Sequence, residues 1–335
     1  MLHIGATWDF ALAALRVASS EAERTATAAA SPVELDALLL SAATIVERDA
    51  AVATVGANGR PNAAGVVQQD GAVISVAGGA PPKLVFGAAL AMDSGEPPSA
   101  TASAAAAAMA IADACPHSIL AGAGVRTFLV SHPAEAASAA ARATRFVPST
   151  PAVPICGGAA SLAAAPRHDT VGLVGAMVGD DVSRCRLFAV TSTSGMAGKA
   201  PGRVGDSALF GSGLSATVGV GAAACTGDGD LIATFPLAFV TLQHLARLQC
   251  SAARAETEPL PTQAARAAIA EFLTLPHVAP AASSVEVGVV CVSAADGGVG
   301  AWASPAWLGT YNAAHTVVDG KTGAVVASEL LQPKQ

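Results

Sequence analysis

The chain has 335 residues and a formal net charge of −7, a length that suits one large domain or two ordinary ones. Hydrophobic residues make up 52%, charged residues 13% and aromatic residues 4%, so packing must rest on aliphatic side chains and close backbone approach at glycine. No Lys/Arg cluster interleaves with aromatics and no apolar run reaches bilayer length, which argues against nucleic-acid and membrane partners. The six cysteines contain no CxxC pair, so neither a zinc knuckle nor a disulfide framework is indicated and reduced, buried thiols are expected.

Taken in chain order, Leu2-His3-Ile4 reads as a short strand running into Thr7-Trp8-Asp9-Phe10, and 11–29 as an alanine-rich helix. Ser31-Pro32 starts a second helix carrying Leu35, Leu38, Leu39, Leu40, Ala43 and Ile45. Between 50 and 80, short apolar runs alternate with Gly and Asn-Gly, which predicts strands and turns. Alanine-rich segments at 101–114 and 133–145 predict helices, with a strand at 118–123 between them. Pro148, Pro151, Pro154 and Pro166 interrupt 147–167, which reads as a flexible linker or as a surface loop between two domains. Beyond it, strands are predicted at 171–178, 186–192 and 216–224, helices at 236–258 and 262–275, and strands at 285–292, 298–303 and 315–318. Strands on both sides of a helical middle suit two stacked sheets covered by helix layers. The N-terminus lacks a basic segment followed by a long apolar one, so a cytoplasmic location is expected; a truncated start leaves a lysosomal one as the alternative.

Four polar islands concentrate the chemistry: His168-Asp169-Thr170-Val171-Gly172, Thr191-Ser192-Thr193-Ser194-Gly195, Gly202-Arg203-Val204-Gly205-Asp206-Ser207 and Thr226-Gly227-Asp228-Gly229-Asp230. In this order they resemble the N-terminal nucleophile amidohydrolases of the glycosylasparaginase and plant-type asparaginase family. The resemblance implies a four-layer αββα sandwich, a single domain of residues 1–335 that cuts itself into an α chain 1–169 and a β chain 170–335, and the segment 147–167 as the linker before the scissile bond.

The same resemblance assigns roles. Thr170 is the nucleophile, and His168, Asp169 and Thr170 form the self-cleavage site. A threonine hydroxyl is a weak nucleophile at neutral pH, and its own α-amine, once freed by cleavage, can take its proton. Thr193 corresponds to a second threonine positioning the nucleophile, and Thr226 with Gly227 to the oxyanion hole. Arg203 corresponds to the arginine that binds the substrate α-carboxylate, where a planar fork suits a planar anion, and Asp206 to the acid that holds the α-ammonium. The same residues carry plainer readings as well: Arg203 and Asp206 as a structural ion pair, Thr193 and Thr226 as ordinary strand residues, and Trp8 as a core tryptophan.

Within the family, His168-Asp169-Thr170 and Thr7-Trp8-Asp9-Phe10 resemble the glycosylasparaginase branch, whose tryptophan lies in the substrate pocket. The implied activity is hydrolysis of N4-(β-N-acetylglucosaminyl)-L-asparagine to aspartate and amino sugar, with no cofactor and no metal, by homodimers of αβ units. An isoaspartyl peptidase and L-asparaginase is the nearest alternative; a threonine aspartase and an unprocessed, non-enzymatic relative are further ones. Gly211-Ser212-Gly213 and Gly219-Val220-Gly221 do not complete a dinucleotide loop, and Asp228-Gly229-Asp230 lacks the remainder of a calcium-loop pattern. The chain departs from the family pattern in a longer segment between Thr170 and Thr193, in Val67-Gln68-Gln69-Asp70-Gly71 and in Ala208 after the Gly-Asp-Ser.

Overall fold

A computed structural model describes residues 1–29, 34–79, 81–94, 103–149, 170–178, 185–251, 258–306 and 313–331. The chain opens with β1 (Leu2–Ala6), α1 (Phe10–Ala29) and α2 (Leu35–Arg48), followed by the paired strands β2 (Gln68–Ala77) and β3 (Lys83–Asp93). Then come α3 (Ala104–Ala114), the short β4 (Ile119–Ala121), α4 (Ala123–Ser131) and α5 (Pro133–Thr144). The second half runs β5 (Val171–Met177), β6 (Arg186–Thr193), β7 (Leu214–Thr217), β8 (Gly221–Gly227), α6 (Gly229–Ile232), α7 (Leu237–Cys250) and α8 (Leu260–Leu273). It closes with β9 (Val287–Ser293), β10 (Val299–Ala303), β11 (Ala313–Val318) and β12 (Val325–Leu331).

The strands form a mixed α/β arrangement of two sheets, one ordered β12-β11-β1-β5-β6-β2-β3-β4 and one ordered β10-β9-β8-β7. The period-2 alternation of strand side chains sorts them onto separate cores. On β6, Phe188 and Val190 join the cluster made with α1, α2 and α3, whereas Leu187 and Ala189 face the other sheet. On β8 and β9, Ala222, Ala224, Val290 and Val292 face the eight-stranded sheet, and Ala223, Cys225, Val289 and Cys291 pack under α7 and α8. Helices therefore lie outside both sheets, and the sheets meet face to face. The small-residue composition makes that meeting tight: a Cβ on Gly172 would lie 2.8 Å from the Ala224 side chain, inside contact distance.

Glu47 ties three of these elements together. Its Oε1 accepts the Ser192 hydroxyl at 2.6 Å and the Ala105 N–H at 3.3 Å, joining α2 to β6 and to the first turn of α3. Burial raises its carboxyl above the ordinary range, since a charge shut away from water is disfavoured.

Several elements depart from their sequence expectations. The predicted 216–224 strand is a hairpin, because Gly219 turns the backbone at φ +73° between β7 and β8. β3, α4 and β12 have no counterpart in the reading above. β3 is rich in Ala and Gly, which are weak strand formers, yet its glycine is required: a Cβ on Gly87 would lie 2.2 Å from the Ala108 carbonyl of α3. The helix predicted at 236–258 spans Leu237–Cys250 and ends where Ser251 turns extended; residues 252–257 lie outside the described ones. So do Ser31-Pro32 and nearly all of the 147–167 linker. Among the described cysteines, Cys185, Cys225 and Cys291 are buried, but Cys250 is exposed, as it ends α7. No described helix is long and apolar enough to cross a membrane.

Candidate active site

Thr170 stands at the head of β5, a central strand between β1 and β6, and is buried. The end of β1 fixes its backbone. The Thr7 hydroxyl donates to the Thr170 carbonyl at 2.8 Å and accepts the Gly172 N–H at 3.0 Å. The Thr170 side chain meets a second hydroxyl, with Oγ1 2.7 Å from Ser207 Oγ. Its backbone N–H donates to Thr226 Oγ1 at 3.1 Å, and the Trp8 indole N–H donates to that same oxygen at 3.4 Å. Thr226 Oγ1 thus accepts two N–H groups and keeps its own proton for donation.

Ser207 lies on a 3-10 turn, Asp206–Ala208, which Thr191 of β6 anchors by donating its hydroxyl to the Ser207 carbonyl. That turn also carries Asp206. Burial raises the Asp206 carboxyl from 3.8 to about 7; Arg203 draws it down, while Asp228 and Asp230 push it further up. Its Oδ2 is buried and has no hydrogen-bond partner among the described residues. Arg203 is held by Asp230, whose Oδ1 takes Nε at 2.8 Å and Nη2 at 2.7 Å.

A small cleft, partly open to solvent, joins these groups; Thr170, Thr193, Arg203, Asp206, Ser207 and Gly227 line it. Thr193 ends β6, accepts the Gly195 N–H at 2.9 Å and pairs across the sheet with Asp70. Gly227 closes β8 at φ +132°, where a Cβ would strike the Glu286 carbonyl at 2.2 Å, so both conformation and space demand glycine. Thr226 is buried behind the cleft, against Thr170. Trp8 is also buried, stacked on Phe10 with ring centroids 6.0 Å apart, and it is not a lining residue. It supports Thr226 from below. His168 and Asp169 lie outside the described residues.

Sequence reasoning missed Ser207, Asp230, Lys199 and Asp70. Lys199 and Asp70 form a buried ion pair at 3.6 Å, and Lys199 also donates to the Gln68 carbonyl at 3.2 Å. Burial lowers Lys199 and raises Asp70 from their ordinary values. Ser207 had a signal in its place beside Asp206. The Lys199–Asp70 pairing depends on the register of β2 against β6 and had none.

A polar cleft at the head of a central strand, with a hydroxyl nucleophile candidate and an adjacent charged clamp, is the arrangement of a hydrolase site. The model of the asparaginase family matches residues 99–273, just over half of the chain, and the chain belongs to that family. A Drosophila grimshawi protein provisionally named N(4)-(beta-N-acetylglucosaminyl)-L-asparaginase is 48% identical over 68 residues, which are 20% of this chain and 16% of that protein. The N(4)-(beta-N-acetylglucosaminyl)-L-asparaginases of Rattus norvegicus and Mus musculus are each 40% identical over 78 residues, 23% of this chain and 21% of theirs. The matched stretches thus span about a fifth of these relatives or less.

Proposed function

We propose that the chain is a self-cleaving threonine amidohydrolase of the N-terminal nucleophile type. It hydrolyses the β-amide of asparagine derivatives, with N4-(β-N-acetylglucosaminyl)-L-asparagine as substrate and aspartate and amino sugar as products. One observation carries this reading: Thr170, at the head of a central strand, shares one cleft with Arg203 and Asp206. The succession of helices, two facing sheets and helices supports it, as do the names of the relatives. Pairing of αβ units comes with the resemblance and is part of the same reading.

In maturation the Thr170 hydroxyl attacks the Asp169 carbonyl carbon. The bond to the Thr170 nitrogen breaks, that nitrogen takes the proton, and water hydrolyses the ester to leave Asp169 as a new C-terminus. In turnover the freed α-amine, with a reference pKa near ~8, takes the hydroxyl proton as Oγ1 attacks the substrate β-carbonyl. The leaving amine departs with that proton, and water releases aspartate from the β-aspartyl ester. Thr226 Oγ1, already 3.1 Å from the Thr170 nitrogen, is placed to orient the amine. Ser207 Oγ, 2.7 Å from the nucleophile, is placed to fix its rotamer. Arg203 and Asp206 are suited to the α-carboxylate and α-ammonium.

A second reading is isoaspartyl peptidase and L-asparaginase, and the burial of Trp8 behind Thr226 favours it. Trp8 is not among the described residues that line the cleft. The test compares kcat/KM for N-acetylglucosaminyl-asparagine, a β-aspartyl dipeptide and free asparagine. Preference for the sugar substrate supports the first reading, and preference for the dipeptide moves the protein to the second. A chain that stays intact and turns over none of them sinks both.

A further inference from the structure

A guanidinium group has two edges able to meet a carboxylate in parallel: Nε with one Nη, and the two Nη together. In Arg203 the first edge is taken, because Nε and Nη2 both reach Asp230 Oδ1. The second edge lies among cleft glycines. Nη1 is 3.0 Å from where a Cβ on Gly205 would stand and 3.3 Å from the corresponding point on Gly195, and Nη2 is 3.3 Å from that on Gly229. All three glycines line the cleft, so the free edge opens where an aspartyl unit would lie. The Asp230 side chain is 59% exposed, against 17% for Arg203. An ion pair with so exposed a partner adds little to fold stability, which leaves orientation as its physical consequence.

We infer that Asp230 is a positioning residue: its carboxylate holds the Nε–Nη2 edge of Arg203 and thereby presents the Nη1–Nη2 edge to the α-carboxylate of the substrate. The inference rests on the proposed amidohydrolase function and adds a residue to it. Asp230 also acts on the other half of the clamp. The groups facing Asp206 are Arg203, Asp228, Asp230 and the Cys225 thiol of β8, and Asp230 is one of the two carboxylates opposing its ionisation. Removing the Asp230 charge must therefore loosen the grip on the α-carboxylate and make Asp206 easier to ionise.

The experiment uses the full chain and compares wild type with Asp230→Asn and Asp230→Glu. For Asp230→Asn, KM for the best substrate and the inhibition constant of L-aspartate should each rise about tenfold while kcat changes little, the pattern of lost uniform binding. The acid limb of its kcat/KM profile should move to lower pH, a readout that a merely structural residue does not move. Asp230→Glu, which keeps the charge, should restore both toward wild type. An active wild type whose Asp230→Asn variant keeps its KM, its L-aspartate inhibition and its acid limb overturns the role of Asp230 alone. A wild type that neither cleaves itself nor turns over any asparagine derivative overturns the function, and this role with it.

Discussion

The two ends of the cleft are built from different materials. Around Thr170 the described hydrogen-bond partners are hydroxyls: Thr7 on its carbonyl, Ser207 on its Oγ1 and Thr226 on its nitrogen. Around Arg203 and Asp206 the groups are charged, with Asp230 in front and the buried Lys199–Asp70 pair behind. Lys199 and Arg203 meet at Gly195, whose Cβ position lies 3.4 Å from Lys199 Nζ and 3.3 Å from Arg203 Nη1. In the proposed function the α-amine of a cleaved chain is the base nearest the nucleophile, and its described hydrogen-bond partner is the neutral Thr226 hydroxyl. A charged end can grip a zwitterion strongly because its carboxylate is shut away from water. In the proposed function, chemistry and recognition are thus separated by the kind of polar group each would use.

The hardest blow to this division is at the neutral end. Thr170→Ala removes the only atom proposed to attack either carbonyl. The variant should run as one band, where wild type should give fragments 1–169 and 170–335, and should lose all hydrolase activity; gel electrophoresis and a substrate assay check both. Wild type that remains intact and still hydrolyses substrate would refute the division at its root.

Asp206→Asn strikes the charged end. Taking one partner from a buried charge pairing costs roughly 2–5 kcal/mol, so kcat/KM should fall on the order of 10²–10³-fold. Stability should move the opposite way. The native Asp206 carboxyl is raised from 3.8 to about 7, so the native state keeps a proton that the unfolded chain has shed between those values. The stability this gives is full below the lower value and is lost as pH rises through the upper one. Asparagine carries no such loss. Thermal melting should therefore show the variant more stable than wild type at pH 8 and without that advantage at pH 4.

Behind the clamp, Lys199→Met would leave Asp70 buried without its cation, at a cost of about 3 kcal/mol. Adding Asp70→Asn should recover part of that loss, because an amide oxygen can still accept the Ala91 N–H that Asp70 Oδ1 takes at 2.7 Å. Urea unfolding of the two singles and the double measures the coupling. Simple additivity would mean that the pair does not act as one.

The smallest expected effect returns to the neutral end. Ser207→Ala deletes one hydrogen bond between neutral groups, worth about 1 kcal/mol, so kcat should fall roughly five- to tenfold. KM should stay put, since the clamp is untouched. A rise in KM instead would show that the two ends are not separable.

The difference between the ends also explains what the sequence disclosed. Thr170, Thr193 and Gly227 sit at strand ends, and Arg203 and Asp206 in the loop and 3-10 turn between β6 and β7, so their spacing survives in the linear chain as recognisable islands. Asp70 reaches Lys199 because β2 runs antiparallel to β6 and sets Asp70 opposite Thr193, across a hundred and more residues of unrelated sequence. Trp8 carried two readings in the sequence, pocket residue and core tryptophan; in the structure its ring is buried and its indole N–H donates to Thr226. In the fold, β5, β6, β9 and β10 were legible, whereas β7 and β8 read as one strand, β12 had no counterpart, and β3 was hidden by small residues that lie close to α3.

The strand order of the larger sheet has a consequence for the life of the molecule. β1 lies between β11 and β5, and β2 lies beside β6, so residues before 169 and after 170 alternate across one sheet. A cut at that point would leave two pieces woven through each other in the eight-stranded sheet, neither owning all of it and each exposing raw strand edges if pulled free, while the four-stranded sheet would stay whole in the second piece. Such pieces could not trade partners between molecules, nor be mixed from separately folded stocks. Each molecule would keep for good the companion it was translated with, and its history of being a single chain would stay written in its weave after the bond itself was gone.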